Sequence, residues 1–462
     1  MIAILVILTG LAGAAAGQPV RKNVNDLTAS EVLSLRRGVE VMMARNGARR
    51  SSADFRRSWQ FWSNVHGHFG PDCDGPVSGA GMTGVATWRA QNSQEKAVWC
   101  SCQHGSDAFL TWHRPLVDQF EQVLQQASGD PSLMLPFWDY ATAALLPQIF
   151  RDATYVDAAG ATKRNPLRVE ARRAALNTGA AGIAANTASA ANAMTATSFS
   201  QFRTRFEQTP HNAVHCTIGV AGCGSGLMGA FATAASDPIF WLHHANIDRL
   251  YECWLNAGED RLPTGSGLLN QVYSFSDRNG NLVRRRVRDS LTAAQLGYSY
   301  APASSCPAPQ RQARPAAEVA DVQLGITTTA PVEFEAAPDG RVTLVIAALK
   351  TSQPPGAMFE VYLLDRWGGT GVLVDGVIEF FGNQFRAGDG EGHVRHGSTD
   401  EPVGRRFEFD VTDAVEILGI SPGDTPTLRF EATTGLDNST PETSGLNPEA
   451  VVTYRRAWLQ VE

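Results

Sequence analysis

The sequence predicts a mainly α-helical domain followed by an all-β sandwich or barrel. Between about Asn25 and Tyr300, apolar residues recur at helical spacing behind capping residues. Beyond the proline-rich stretch Pro307–Pro315, the pattern changes to short β-type runs separated by Gly, Pro and Asp. A third observation places the chemistry. Of ten histidines, eight stand before residue 245, as His66 and His68, His104 and His113, His211 and His215, and His243 and His244; only His393 and His396 lie beyond. At 462 residues the chain exceeds what one core usually supports, which agrees with two unequal domains.

The N-terminal MIAILVILTGLAGAAAG has an apolar stretch from Ile2 to Leu11 followed by small residues. It fits a secretory signal over residues 1–17, cleaved near Ala16 or Gly17, although a charged n-region is missing and a membrane anchor is the alternative. No other run approaches the ~20 apolar residues of a spanning helix. The mature chain is therefore expected to be secreted or periplasmic, with no membrane association. A net charge of −7 with both signs scattered argues against a nucleic-acid partner, leaving small-molecule chemistry. Basic charge is almost wholly Arg, with Lys only at Lys22, Lys96, Lys163 and Lys350, a mark of GC-rich bacterial coding. Seven cysteines leave one unpaired where disulfides are permitted.

Within the helical region, LTASEVLSLRRGVEVMMARNG opens on Thr28 or Ser30 as N-cap and stops at Asn46–Gly47. SADFRRSWQFWSNVHGHFG reads as a second helix with His66 near its end. From His113 a third helix has Pro115 in its first turn, where the missing N–H costs nothing, and Gly129 past its end. Residues 151–200, rich in Ala, Asn and Thr, read as a surface excursion. ASDPIFWLHHANIDRLYECWL is a helix capped by Ser236 or Asp237. Residues 301–316 form an extended linker, and 317–462 the β-domain, with VTDAVEILGI as a short helix inside it.

Clustered imidazoles read first as a metal site, because neutral histidine is a borderline ligand suited to copper, zinc, iron and nickel. In PHNAVH the i, i+4 spacing places His211 and His215 on one helix face. Adjacent His243 and His244 point about 100° apart, so one faces a given ion and the other is a hydrogen-bonded neighbour. Asp248, four residues after His244, is a natural acceptor for an imidazole N–H. His104 and His113, nine apart, would lie on opposite sides of a single helix, so His104 belongs to the loop before it. Two sets of three emerge: His66, His104 and His113, then His211, His215 and His244. The lack of a carboxylate ligand argues against calcium or magnesium. One such set with an open position suits a zinc hydrolase, whereas a copper pair would use both sets to bind O2 between them.

The segments HG at 66–67, CQHGSDAFLTWHRP at 102–115, LPFWDY at 135–140, EQTPHNAVH at 207–215 and DPIFWLHHANIDRL at 237–250 resemble the type 3 dicopper proteins: tyrosinases, catechol oxidases and molluscan-type haemocyanins. The resemblance implies a four-helix bundle holding two copper ions, CuA by His66, His104 and His113 and CuB by His211, His215 and His244, with His68 competing for the first place. It implies a thioether from Cys102 to His104, the alternative being a Cys102–Cys73 disulfide. Other pairs by proximity are Cys73–Cys100, Cys216–Cys223 and Cys253–Cys306. Glu207 matches the carboxylate that holds a water over CuB, Asn212 the amide that helps orient it, and Phe231 an aromatic gate over the substrate ring. The alternatives are a surface Glu207 and a core Phe231.

Tyr298-Ser299-Tyr300 resembles the YxY that meets an N-terminal arginine, here expected to be Arg36 or Arg37. Residues 317–462 resemble the C-terminal domain that shields the site in latent plant-type enzymes. His393 and His396 are expected on an exposed loop. The function implied is a copper-dependent polyphenol oxidase of tyrosinase type. It would use O2 on small phenols, hydroxylating monophenols and oxidising o-diphenols to quinones, and stay latent until the C-terminal domain is removed. A catechol oxidase limited to diphenols and a haemocyanin-like O2 carrier are the rivals.

Overall fold

The computed structural model describes residues 18–67, 92–258, 260–301, 306–307, 314–315, 322–332, 340–365, 369, 371–380, 404–421 and 424–461. The expected signal segment, His68, Cys73, His393 and His396 lie outside them.

Six helices frame the first part: α1 (Ala29–Ala44), α2 (Trp59–Gly67), α3 (Ala108–Ser128), α4 (Phe199–Phe206), α5 (Ala213–Ile218) and α6 (Ile239–Asn256). Helix α1 begins as expected, with Thr28 and Glu31 forming a reciprocal capping box. The second predicted helix is broken in two. Ser52 caps a single turn, Ala53–Arg56, and Ser58 then accepts from the Phe61 N–H to start α2 on a new axis. Helix α3 begins five residues before His113, because Phe109, Leu110 and Trp112 are fully buried and extend its packed face. Pro115 is therefore interior and forgoes one backbone bond that the 21-residue buried helix tolerates.

A two-residue strand β1 (Val20–Arg21) runs parallel to β2 (Ser299–Tyr300), with Arg21 in register with Tyr300, and so ties the start of the helical part to its end. This register places Arg21, not Arg36 or Arg37, against the two tyrosines. Its guanidinium lies 3.6 Å over the Tyr298 ring and donates to the Tyr300 hydroxyl at 3.0 Å. Arg36 points elsewhere from α1, stacking on Tyr155 and pairing with Asp152 at 3.6 Å.

The later strands are β3 (Arg314–Pro315), β4 (Val322–Leu324), β5 (Thr327–Pro331), β6 (Val342–Thr351), β7 (Met358–Leu364), β8 (Gly371–Ile378), β9 (Arg405–Asp410), β10 (Thr427–Thr433), β11 (Val452–Tyr454) and β12 (Arg456–Val461). They form two sheets. One has the order β3-β12-β6-β11-β4, with β9 also on β6; the other has the order β8-β7-β10-β5. Inward Val, Leu, Ile and Phe, among them Leu344, Ile346, Phe359, Val361, Phe407 and Phe430, fill the space between them. The helix expected within this region is present at Thr412–Leu418. A mainly α part followed by a β-sandwich is thus the observed architecture.

The reading of residues 151–200 as a surface excursion is overturned. Asn186, Thr187, Asn192 and Thr195 are buried beneath the sandwich, and the two asparagines serve its backbone. Asn186 donates to the Gly376 carbonyl at 2.8 Å and accepts from its N–H at 2.6 Å. Asn192 does the same for β9, donating to the Glu408 carbonyl and accepting from the Asp410 N–H, both at 2.8 Å. The polar composition that suggests solvent instead satisfies a sheet edge that would otherwise be orphaned. Gly376 is required here: its φ of +113° is open to glycine, and an added Cβ would press on the Phe409 ring.

Asn192→Ala leaves two backbone groups of β9 without their partner. It is expected to weaken the docking of the sandwich by about 1–3 kcal/mol, measured as earlier separation of the two parts in denaturant followed by limited proteolysis in the 301–316 region.

Candidate metal centre

Two groups of side chains that could each surround an ion lie where four helices converge. His66 from α2, His104 and Cys102 from the loop before α3, and His113 from α3 form one; His211, His215, His243 and His244 form the other, on the turn before α5, on α5 and on α6. Within each group the potential ligand atoms lie within 4.8 Å of one another. The groups also touch each other: the His113 and His244 rings stack 4.6 Å apart, and His66 lies 5.8 Å from His244. His104 is in the loop, as its spacing from His113 demanded.

Local structure explains the placements. Gly67 ends α2 where an added Cβ would meet the Ala232 carbonyl at 2.2 Å, so the His66-Gly67 pair lets the loop carrying Phe231 close over the imidazole. His113 Nδ1 faces the Phe109 carbonyl at 2.8 Å and His215 Nδ1 the Met228 carbonyl at 2.9 Å, contacts that leave Nε2 of each ring for the centre. His211 Nδ1 is 2.8 Å from Asn212 Oδ1, while its Nε2 stands 3.3 Å from His244 Nε2. The α4 backbone continues through a wider turn, Glu207–Asn212, with Thr209 extended inside it, and this turn brings His211 and His215 to a ring separation of 4.7 Å.

The site is dry. His66, His211, His215 and His243 are fully buried, and His113 and His244 nearly so. Burial drives the pKa of every one of these imidazoles well below the ordinary value, to about 3 at His211, so all are neutral and able to donate a lone pair. His104 Nε2, His113 Nε2 and His244 Nδ1 are buried without a hydrogen-bond partner. Several desolvated nitrogens converging on common points are costly unless a cation occupies them, and imidazole with a single thiol fits copper.

Cys102 is the free cysteine among the described residues, and its Sγ is 3.5 Å from His104 Nδ1. The Cys216–Cys223 and Cys253–Cys306 disulfides are both present. Cys100 is disulfide-bonded, while the expected partner Cys73 lies outside the described residues. Glu207 is buried rather than on the surface. It accepts from the Gly105 N–H at 2.7 Å and pairs with Arg203 at 3.3 Å, and burial outweighs both to raise its pKa to about 7. Phe231 is half-buried with its ring 4.3 Å from His104 and 5.2 Å from His66, so it leans on the first group.

On α6 both His243 and His244 place a ring nitrogen within 4.8 Å of those of His211 and His215. One expectation changes. Asp248 does not serve an imidazole. It accepts from Arg114 Nε at 2.5 Å and from the Tyr298 and Tyr300 hydroxyls at 2.5 Å each, with Arg21 at 3.5 Å. Burial alone would raise its pKa, but Arg114 and Arg21 prevail and lower it. The sequence reading missed three participants. Arg203, four residues before Glu207 on α4, was legible from spacing; Glu379 and Arg405, from the sandwich, had no local signal.

The family model described as the common central domain of tyrosinase matches residues 56–174 and 150–257, and the polyphenol oxidase middle domain matches residues 264–316. The chain belongs to the tyrosinase and polyphenol oxidase family. Two copper ions are the cofactor of this family, and the two histidine groups fit them.

Tyrosinase HcTyr1 of a Hahella species is 29% identical over 65% of this chain and 67% of its own length. Polyphenol oxidase A1 of Vicia faba is 30% identical over 48% of this chain and 40% of its own. The chain thus spans well under two thirds of the plant relatives' length. In fold it is similar to a latent aurone synthase (TM-score 0.61, 18% identity, 96% of this chain and 89% of that one). It is similar also to latent apple tyrosinase (0.59, 19%, 97% and 98%) and to deoxygenated haemocyanin from Rapana thomasiana (0.55, 19%, 95% and 99%). Among the described residues no helix is long and apolar enough to cross a membrane.

Asp248→Ala takes one shared carboxylate from the buried guanidinium groups of Arg114 and Arg21, which keep only Glu252 and Glu121 as anionic partners. It is expected to lower stability by about 3–5 kcal/mol, seen as a large fall in the thermal midpoint of the copper-loaded protein.

Proposed function

We propose that the chain is a copper-dependent phenol oxidase of tyrosinase type, hydroxylating monophenols and oxidising o-diphenols to o-quinones with O2. The first ion would be held by His66, His104 and His113, and the second by His211, His215 and His244. Of the two adjacent candidates on α6, His244 is preferred because its Nε2 approaches that of His211 and its ring lies between the groups. Bound copper supplies the redox chemistry and the site for O2.

The protein's own part is to handle the proton. A phenol must lose its proton before its oxygen binds a metal, and Glu207, buried beside the second group with its pKa raised to about 7, is a base matched to that task. That single observation carries the monophenol reading. Gly105 N–H and Arg203 hold the carboxylate in place, Asn212 fixes the His211 ring, and Phe231 gates entry beside His104 and His66. Cys102 stands at a distance suited to a thioether with His104, which would immobilise the one ligand borne on a loop. Residues 18–300 form the catalytic unit and 317–462 a shield joined by the 301–316 linker. The two disulfides and the apolar N-terminal stretch favour export to a secreted or periplasmic location.

The copper-loaded protein should contain two copper ions per chain. His211→Ala and His113→Ala should each retain one and lose turnover, and His393→Ala should retain both; metal analysis against protein concentration checks this.

The decisive experiment is O2 uptake after cleavage near Arg311 or Arg314, with a monophenol and with catechol in parallel. Uptake with both is expected, at higher specific activity than in the uncut chain. Monophenol turnover should rise as pH passes through about 7 and Glu207 ionises, and Glu207→Gln should cut it on the order of 10²-fold and remove that limb. Uptake with catechol alone would make the chain a catechol oxidase, and binding of O2 without turnover would make it a carrier.

A further inference from the structure

A buried side chain of the β-sandwich reaches the second histidine group. Glu379, at the end of β8, is fully buried, and its Oε1 accepts from Asn212 Nδ2 at 3.1 Å. Asn212 Oδ1 in turn faces the Nδ1 of His211 at 2.8 Å. On the other side Arg405, at the start of β9, donates to the Glu379 carboxylate and to its backbone carbonyl. The four residues form an unbroken polar line, Arg405 to Glu379 to Asn212 to His211, running from one domain into the other.

A carboxamide can turn over and exchange its oxygen for its nitrogen. With a carboxylate fixed on one side, the orientation that places N–H toward Glu379 and oxygen toward His211 is favoured. The oxygen then holds the proton on His211 Nδ1, leaving Nε2 directed at His244. His113 and His215 obtain the same service from backbone carbonyls of Phe109 and Met228, which cannot turn over; the His211 contact relies on a side chain, which can.

We propose that Glu379 is a positioning residue for His211, contributed by the β-sandwich. The inference rests on the reading of His211 as a copper ligand. Outer partners of metal-bound histidines are commonly worth 10- to 100-fold in metal affinity.

The test is the rate at which a Cu(I) chelator removes copper from the reduced, copper-loaded full-length protein. Glu379→Ala should release one of the two ions roughly 10- to 100-fold faster and leave the other at the wild-type rate. Glu379→Gln, which keeps an acceptor oxygen toward Asn212, should stay within about twofold of wild type on that same outer-partner scale. In the His211→Ala background, Glu379→Ala should not alter release of the remaining ion. Equal acceleration of both ions, or of the remaining ion in the His211→Ala background, would mean that Glu379 only stabilises the fold. Unchanged release in Glu379→Ala would overturn the proposal outright. If His211→Ala still holds two ions, the ligand assignment itself fails, a result distinct from either.

Discussion

The buried carboxylate of Asp248 is the constraint on which the helical part depends. It accepts from Arg114, Tyr298 and Tyr300 and lies beside Arg21, which also bonds Glu121 on α3 at 2.9 Å. Arg114 directly follows His113, and Asp248 lies one helical turn beyond His244. The ion pair between them therefore fixes how α3 and α6 are rotated against each other, and with it the stacking of the His113 and His244 rings where the two groups meet. A charge this deeply buried is stable because Arg114, Arg21, Tyr298 and Tyr300 all direct donors at it. Strands β1 and β2 are the means by which Arg21 and the tyrosines are delivered to that point.

Side-chain amides set the register in which the sandwich docks, beside an apolar core that runs through both parts. Asn186 and Asn192 each pair with a backbone donor and acceptor on β8 or β9, and Arg341 donates to the Thr195 carbonyl at 2.8 and 2.9 Å. Such contacts specify one register of docking. They also can exchange for water once the sandwich moves away, unlike a dry hydrophobic face.

Much of the centre was legible in the sequence because its ligands lie on local spacings: His211 and His215 one turn apart, and His104 in the loop by its distance from His113. Helix ends were legible where a cap is a side chain, as at Thr28 with Glu31. What failed was long range or shared. Arg21 was missed because a two-residue strand leaves no periodic trace, and Glu379 because nothing in β8 marks which strand end meets residue 212. Residues 185–196 were misread because Asn and Thr serving a sheet edge look like Asn and Thr serving solvent. Helix α3 was begun too late because Pro115 was taken as a first-turn residue, when its buried neighbours carry the helix past it.

The Cys253–Cys306 bridge ties helix α6, carrier of His243 and His244, to a point six residues beyond β2, and 306 lies upstream of Arg311 and Arg314. The covalent tie to the helical part therefore extends to Cys306, past Tyr300. A chain truncated between those residues would keep all eight clustered histidines yet leave Cys253 with an unmatched thiol at the foot of the helix that carries two of them, open to intermolecular cross-linking. Any shortened form of the chain meets this boundary, set by a covalent bond rather than by where the helical packing stops.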